Sequence, residues 1–345
     1  MGKLQKQSQG SILIVTIFVL TILTIFAVNI GIGINQKLLF LKKITERKTL
    51  SRIAEAGIKT AILEIKKDIS TDCDTIGENW ANNSLFKNYF LEEGSFTISY
   101  QHDFLEIGRE EIKRYKKIRY GVQDEESKIN INTCDTKTLT KLLKIVLNIK
   151  TEDAENLACS IIDWRDEDSA YQHPQYGAED SDYRHLPNPY ESKDAPYEVL
   201  EELLLVKGID EEIYKKIKNY ITIYSNGKIN INTAPFEVLI SLGLDEKLVI
   251  KIISFRYGND LIEDTGDDNI FVTPSDIIVS LNNFCGLNEY EISQLNELIE
   301  SGKITTSSTN FMIESIARLD KKEENTYKIT VVVDRKGKIK YWREE

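Results

Sequence analysis

The chain has 345 residues, 41% of them hydrophobic and 29% charged, with a formal net charge of −11 at pH 7. Residues 1–34 hold two lysines and no acid, so the remainder carries 42 basic against 55 acidic residues. A body that acidic repels phosphate backbones and argues against nucleic acid as a default partner. Cys73, Cys134, Cys159 and Cys285 form no CxxC pair, which excludes a zinc ribbon or a dithiol redox motif. In an oxidising compartment one or two disulfides are permitted, with connectivity open.

Ten polar residues, MGKLQKQSQG, precede a run without a single charge over residues 11–34. At about 1.5 Å per residue this run reaches roughly 36 Å as a helix, enough for a hydrocarbon core of about 30 Å. A secretory signal peptide has a shorter apolar region with a small-x-small cleavage site behind it. Here the cleavage-like residue, Gly10, lies in front of the run. A peptidase cutting between Gly10 and Ser11 removes the basic leader 1–10 and leaves the apolar helix on the product. This arrangement resembles type IV pilins and pseudopilins; the alternative is a plain signal anchor, which needs no Gly10. Lys3 and Lys6 favour a cytoplasmic N-terminus, although Lys37, Lys42, Lys43, Arg47 and Lys48 crowd the far flank.

No proline interrupts residues 36–68, and Leu50, Ala54, Ile58, Ala61 and Ile65 recur at steps of three or four. Phe40 and Ile44 fit the same period. This spacing predicts one long helix with an apolar stripe, bent at most near Gly31 and Gly33. Residues 95–101 (SFTISYQ) and 117–122 alternate as strands do. Residues 35–124 therefore read as the first part of a pilin-like α+β domain, a long helix laid on an antiparallel sheet.

KININT occurs at residues 128–133 and again at 228–233, each time leading into a helical pattern. Two copies of a six-residue string predict the same local device built twice. Asn132 and Asn232 can end the extended segment, and Thr133 and Thr233 can cap the following helix. Between the copies, LEELLLVKGIDEEIYKKIKNYIT predicts two short helices joined at Gly208, a helix-hairpin-helix shape. A second candidate turn covers residues 242–246. Such hairpins, with INTA at 231–234, also suggest a membrane-anchored DNA receptor as the alternative function. Glu211, Glu212, Asp245 and Glu246 stand at the two turns and oppose phosphate. Residues 125–300 read as an inserted helical domain with helix-hairpin-helix-like repeats, and residues 301–345 as C-terminal strands completing the sheet.

The densest acid cluster, DWRDEDSAYQHPQYGAEDSDY, begins at Asp163. Asp166 and Asp168 offer carboxylates two apart, and Glu179, Asp180 and Asp182 return after a loop with Pro174 and Gly177. Asp194, before Ala195 and Pro196, can reach the same region. Hard oxygen ligands suit Ca²⁺; the alternative is a solvated loop, because no twelve-residue EF-hand spacing is present. A similar stretch, DLIEDTGDDN at 260–269, reads as solvated. Only three histidines occur, His102, His173 and His185, with no HExxH, G-x-S-x-G or P-loop. Carboxylate-rich surroundings favour a hard cation over a transition metal, so His173 and His185 read as loop residues. No enzyme is expected.

The apolar helix after Gly10, AEAG at 54–57, KININT, DWRDED, GAED with Tyr183, PYEVLEELLLVKGI, INTA and the terminal Trp342-Arg343-Glu344 follow in this order. Together they resemble the general secretion pathway protein K family, the largest minor pseudopilin of type II secretion systems. The resemblance implies a pilin fold with a helical insertion and a subunit at the pseudopilus tip that supports initiation and export. It implies two other minor pseudopilins, the major pseudopilin, a prepilin peptidase and the inner-membrane secretion platform as partners. It also implies calcium in the acid loop, and a single-pass inner-membrane protein with its N-terminus cytoplasmic and its body periplasmic. Val15, the fifth residue counted from Ser11, stands where most pilins carry glutamate. A buried carboxylate needs a partner, so an apolar residue fits a subunit with one neighbour missing.

Overall fold

A computed structural model describes residues 7–68, 72–108, 112–319 and 322–345; residues 1–6 of the expected leader lie outside these. The chain forms two units, Met1–Arg52 and Ile53–Glu345. The first helix, α1 (Gln7–Lys67), is continuous and passes Gly31 and Gly33 without interruption, as the proline-free pattern requires. Its stretch Ile12–Lys67 is long and apolar enough to cross a membrane, with a mean hydropathy of 2.7 in its most apolar window.

In chain order the strands of the second unit are β1 (Tyr89–Leu91), β2 (Gly94–Ile98), β3 (Tyr100–Ile107), β4 (Ile112–Arg119), β5 (Gln123–Asp124) and β6 (Ile129–Asn130). They continue as β7 (Ile221–Thr222), β8 (Ile229–Asn230), β9 (Ile304–Thr305), β10 (Asn310–Leu319), β11 (Lys322–Asp334) and β12 (Ile339–Glu344). The main sheet is six-stranded, ordered β1-β2-β10-β11-β12 with β5 also on β10, and its pairs are antiparallel. The α1 residues Ile53, Ala54, Ile58, Ala61 and Ile65 are buried. Gly57 lies among them because the sheet comes very close: a Cβ there would stand 2.2 Å from Ser315 Oγ and 3.0 Å from the Phe96 ring. That is the physical content of AEAG, small residues where helix meets sheet.

Residues 95–101 divide between two sheets: 95–98 belong to β2 of the main sheet, whereas Tyr100 and Gln101 pair with Arg119 and Ile118 in the β3–β4 hairpin. The ladder ends where Ser99 N–H donates to Glu314, and β3 then pairs with β4 alone as a separate hairpin. The helical region draws the hairpin away: Phe104 stacks on Tyr257 and Leu105 joins the helical core.

The helices between β5 and β10 are α2 (Thr136–Leu147), α3 (Thr151–Asp163), α4 (Asp180–Tyr183), α5 (Glu211–Ile217), α6 (Phe236–Ser241), α7 (Glu246–Arg256), α8 (Ile277–Cys285) and α9 (Glu289–Glu300). They form two copies of one plan. In the first, β6 leads to α2, a left-handed Asn148, α3, an acid loop, a 3₁₀ segment (Leu200–Leu205), Gly208, α5 and β7, which returns parallel to β6. In the second, β8 leads to α6, Gly243, α7, a second acid loop, α8, Gly286, α9 and β9, parallel to β8. The four turn residues all have positive φ, from 54° to 102°. Ile129, Ile131, Ile229 and Ile231 of the two KININT copies share one apolar core.

The capping expectation is corrected. Asp135 caps α2 by accepting from Thr138 N–H, and Pro235 occupies the cap position of α6. Thr133 instead donates back to the Asn130 carbonyl, and Thr233 donates to the buried Asp124 carboxylate. The expected first helix before Gly208 is a 3₁₀ segment, at whose start the Glu202 carboxylate accepts from Glu198 and Val199 N–H.

Candidate functional site

The repeat sets up the first acid loop. Asn132 and Asn232 each hold a distant backbone with both ends of the amide. Asn132 grips Tyr197 (2.9 and 2.8 Å) and Asn232 grips Phe271 (2.9 and 2.9 Å). Behind them Arg165 donates to Cys134 C=O at 2.6 Å, and Arg256 to Ala234 C=O at 2.7 Å. Each copy thus ties the loop after its second helix to its own INT turn. In the first copy this loop starts at Asp163, whose carboxylate accepts from Gln172 and Ala178 N–H, both at 2.9 Å. Gly177 (φ 106°) permits this, since a Cβ there would meet Asp163 Oδ2 at 2.0 Å.

Around Asp163 the sequence-predicted ligands split into two groups. Asp180 accepts from Ser192 N–H and Oγ and pairs with Arg184; Asp182 pairs with Lys207 at 2.7 Å and accepts from Tyr171. These bonds hold both carboxyls below their usual range. Asp166, Glu179 and Asp194 differ. Asp166 Oδ1, both Glu179 carboxylate oxygens and Asp194 Oδ1 are buried without a hydrogen-bond partner. Burial, then Asp163, Asp166, Asp194 and Asp168, pushes Glu179 up to about 7. Burial likewise lifts Asp163 to about 6 and raises Asp166. Asp168 is exposed and accepts from Ala170 N–H. His173 stacks on Tyr176, and its Nδ1 accepts from Gln175 N–H, a loop role.

Among the described residues, the only acidic group with ligand atoms within 4.8 Å of one another is Asp68, Asp74 and Glu78. Arg335 already occupies it, pairing with Asp68 at 2.7 Å and with Asp74. The carboxylates of the first acid loop stand further apart, so a cation would have to draw them in. Orphaned carboxylate oxygens with raised pKa values are the donor set a hard divalent ion neutralises.

The second acid loop is not solvated as expected. Glu263 is buried, with His102 Nε2 at 2.9 Å and Arg119 at 3.6 Å, while Asp264 faces Arg119 and Asn82. Burial works to raise Glu263, but His102 and Arg119 prevail and hold it below its usual range. Repeat one leaves oxygens of Asp166, Glu179 and Asp194 without partners, whereas in repeat two Glu263 receives His102 and Arg119 of the β3–β4 hairpin.

One cluster escaped the sequence reading. Asp124, Glu125 and Glu126, just before the first KININT, are all buried. Asp124 accepts from Ser308 and Thr233 hydroxyls at 2.6 and 2.5 Å and lies 3.1 Å from Asn230 Nδ2. Glu125 pairs with buried Lys128 at 2.6 Å, and Glu126 accepts from Asn310 N–H and Nδ2. Three consecutive acids beside an apolar strand were the available signal. They join the main sheet to both repeats.

A family model for type II secretion system (T2SS) protein K matches residues 122–226, the first repeat with its acid loop. Type II secretion system protein K of Aeromonas hydrophila is 25% identical over 267 residues, 70% of this chain and 72% of that protein. The Pectobacterium carotovorum subsp. carotovorum protein of the same description is 32% identical over 119 residues, 34% of this chain and 35% of its own length. The chain is thus similar to the type II secretion protein K family. It is a minor pseudopilin. The fold agrees: the crystal structure of the GspK-GspI-GspJ complex from the enterotoxigenic Escherichia coli type 2 secretion system matches with a TM-score of 0.62 at 16% identity. That match covers 88% of this chain and 98% of the other. Cys73, Cys134, Cys159 and Cys285 are all free thiols, so no disulfide joins them. Glu211 and Glu212 beside the Gly208 turn pair with Lys215 and Lys216 at 2.9 and 2.7 Å, leaving those lysines committed.

Proposed function

We propose that the chain sits at the tip of the pseudopilus, where it initiates assembly with two other minor pseudopilins and thereby supports export. The observation that carries this reading is the two-repeat helical insertion between β5 and β10. Bulk of that size fits an end position, where no further subunit has to stack. Val15 supports it, because an end subunit has no neighbour to pair with a glutamate there. The solved relative occurs in a complex with GspI and GspJ, which suggests equivalent partners here. Beyond them the reading requires the major pseudopilin, the inner-membrane platform and a prepilin peptidase cutting at Gly10. The apolar part of α1 anchors the protein in the inner membrane, N-terminus cytoplasmic and body periplasmic, before passing into the fibre. The role is structural rather than catalytic. Calcium belongs to it as a fold-stabilising ion held by Asp166, Glu179 and Asp194, with Asp168 beside them; bound there it would neutralise the loop.

The DNA-receptor alternative is not favoured, since acids flank the Gly208 turn and its lysines are paired. Immunogold labelling of sheared pseudopili tests the tip assignment. Label confined to fibre ends is expected; label spread along the shaft would refute it.

A further inference from the structure

The two units carry opposite charge. Residues 1–52 hold eight basic residues and one acid, Glu46, whereas residues 53–345 hold 36 basic against 54 acidic residues. Six of the eight, Lys37, Lys42, Lys43, Arg47, Lys48 and Arg52, follow the uncharged run 11–34 on the same unbroken helix, and all six are exposed. Among the described residues no ion pair engages Lys37, Lys42 or Lys43. Between and beside these lysines Leu38, Leu39, Phe40, Leu41 and Ile44 are exposed as well. With the N-terminus cytoplasmic, the six basic residues cross the membrane against the usual bias of such residues towards the cytoplasmic side. Positive charge concentrated there calls for a partner of opposite sign.

We propose that Lys37, Lys42 and Lys43 bind the headgroups of anionic phospholipids where α1 leaves the bilayer. The proposal rests on the reading of α1 as a membrane anchor and names the lipid class that the anchor meets. Along the axis from Ile34, the last residue of the uncharged run, Lys37 lies at about 4.5 Å and Lys42 and Lys43 at about 12 and 13.5 Å. The polar region of one leaflet is about 5–8 Å deep, and a Debye length adds about 8 Å. All three ammonium groups therefore fall within reach of lipid phosphate, whereas Arg47, Lys48 and Arg52 begin at about 20 Å and fall outside it. Direction decides between a bilayer and a protein. Lys42 stands about 140° around the helix from Lys37, and Lys43 about 100° further. Three lysines spread so evenly form a girdle, which a lipid surface meets on every side; a protein partner would call for one face. The interleaved leucines and Phe40 suit the same boundary, with apolar side chains and lysine stems in the acyl region and ammonium groups at the phosphates.

The test places the full chain in liposomes of phosphatidylcholine and phosphatidylglycerol and compares spin-labelled forms of the two lipids by electron paramagnetic resonance. The label restricted by the protein should favour phosphatidylglycerol about threefold, and about 1 M NaCl should erase the preference. Lys37→Gln, Lys42→Gln and Lys43→Gln combined should remove most of it with the melting temperature kept. Arg47→Gln, Lys48→Gln and Arg52→Gln combined should leave most of it. Resistance to carbonate extraction reports the anchor separately. A wild-type chain that carbonate extracts would refute the anchor and this proposal with it. An anchored chain that restricts both labels equally, or a preference undiminished by loss of the three lysines, would overturn the lipid assignment alone. Either result would favour an acidic face of a neighbouring subunit as their partner.

Discussion

Asn132 holds Tyr197 across 65 residues of chain by donating to its carbonyl and accepting from its N–H, and Asn232 does the same to Phe271. Each clamp fastens the loop after the second helix of a repeat to that repeat's INT turn. Replacing Asn by Asp keeps the shape, removes the donor and sets a charge against a carbonyl. Asn232 is fully buried and Asn132 half-buried, so Asn232→Asp should cost about 2–4 kcal/mol and Asn132→Asp less. Urea unfolding with unchanged m-values measures both; equal, negligible losses would contradict the clamp.

Gly57 should be intolerant for a reason that its partner can relieve. Gly57→Ala places a methyl against Ser315 Oγ and should destabilise by about 1–3 kcal/mol. Ser315→Ala alone should be nearly neutral, because that buried hydroxyl has no hydrogen-bond partner. The double variant should regain part of the loss, which a double-mutant cycle quantifies.

Calcium should raise the melting temperature of the protein and protect the first acid loop from proteolysis. With free calcium at about 100 times the dissociation constant, the expected gain is about 2.7 kcal/mol. Glu179→Gln and Asp194→Asn should abolish the calcium increment. Asp180→Asn should keep it, since Asp180 is committed to Ser192 and Arg184. Identical melting curves in chelator and in millimolar calcium would return the loop to plain solvation.

The body should lose stability as pH rises from mildly acidic towards neutral. Burial pushes Glu78 up to about 7 from its ordinary 4.5, and Asp74 to about 6 despite Arg335. Between about pH 4.5 and 7 the folded state therefore binds more protons than the unfolded one, and stability falls with rising pH across that window. Thr75 N–H donates to one Glu78 oxygen and Trp80 Nε1 to the other, so Glu78→Gln keeps an acceptor for only one of them but cannot ionise. Its melting temperature relative to wild type should therefore rise as pH goes from about 4.5 to 8. A constant difference at all pH values would show that the carboxyl does not titrate as described.

Processing at Gly10 should be blocked by Gly10→Leu. In cells with an active prepilin peptidase, N-terminal sequencing of the wild-type protein should begin at Ser11, whereas the variant should retain residues 1–10. A wild-type N-terminus at Met1 in such cells would remove the processing step.

What the sequence by itself determined was whatever is written in neighbouring residues. The uncharged run at 11–34, the helical period through Ala54, Ile58, Ala61 and Ile65, and the duplicated KININT each need only local spacing to be read. From these came the long helix, the α+β class and the expectation of one device built twice. The tertiary structure alone decided which acids are free. Asp180 and Glu179 are adjacent in the chain, yet one is bound by Ser192 and Arg184 and the other has no partner. DLIEDTGDDN looked as solvated as any acid run until His102, 161 residues earlier, met Glu263. A charge pattern records where carboxylates lie along the backbone, but their energies depend on burial and on cations brought from elsewhere in the chain. Only the folded contacts of the β3–β4 hairpin with the second repeat set those.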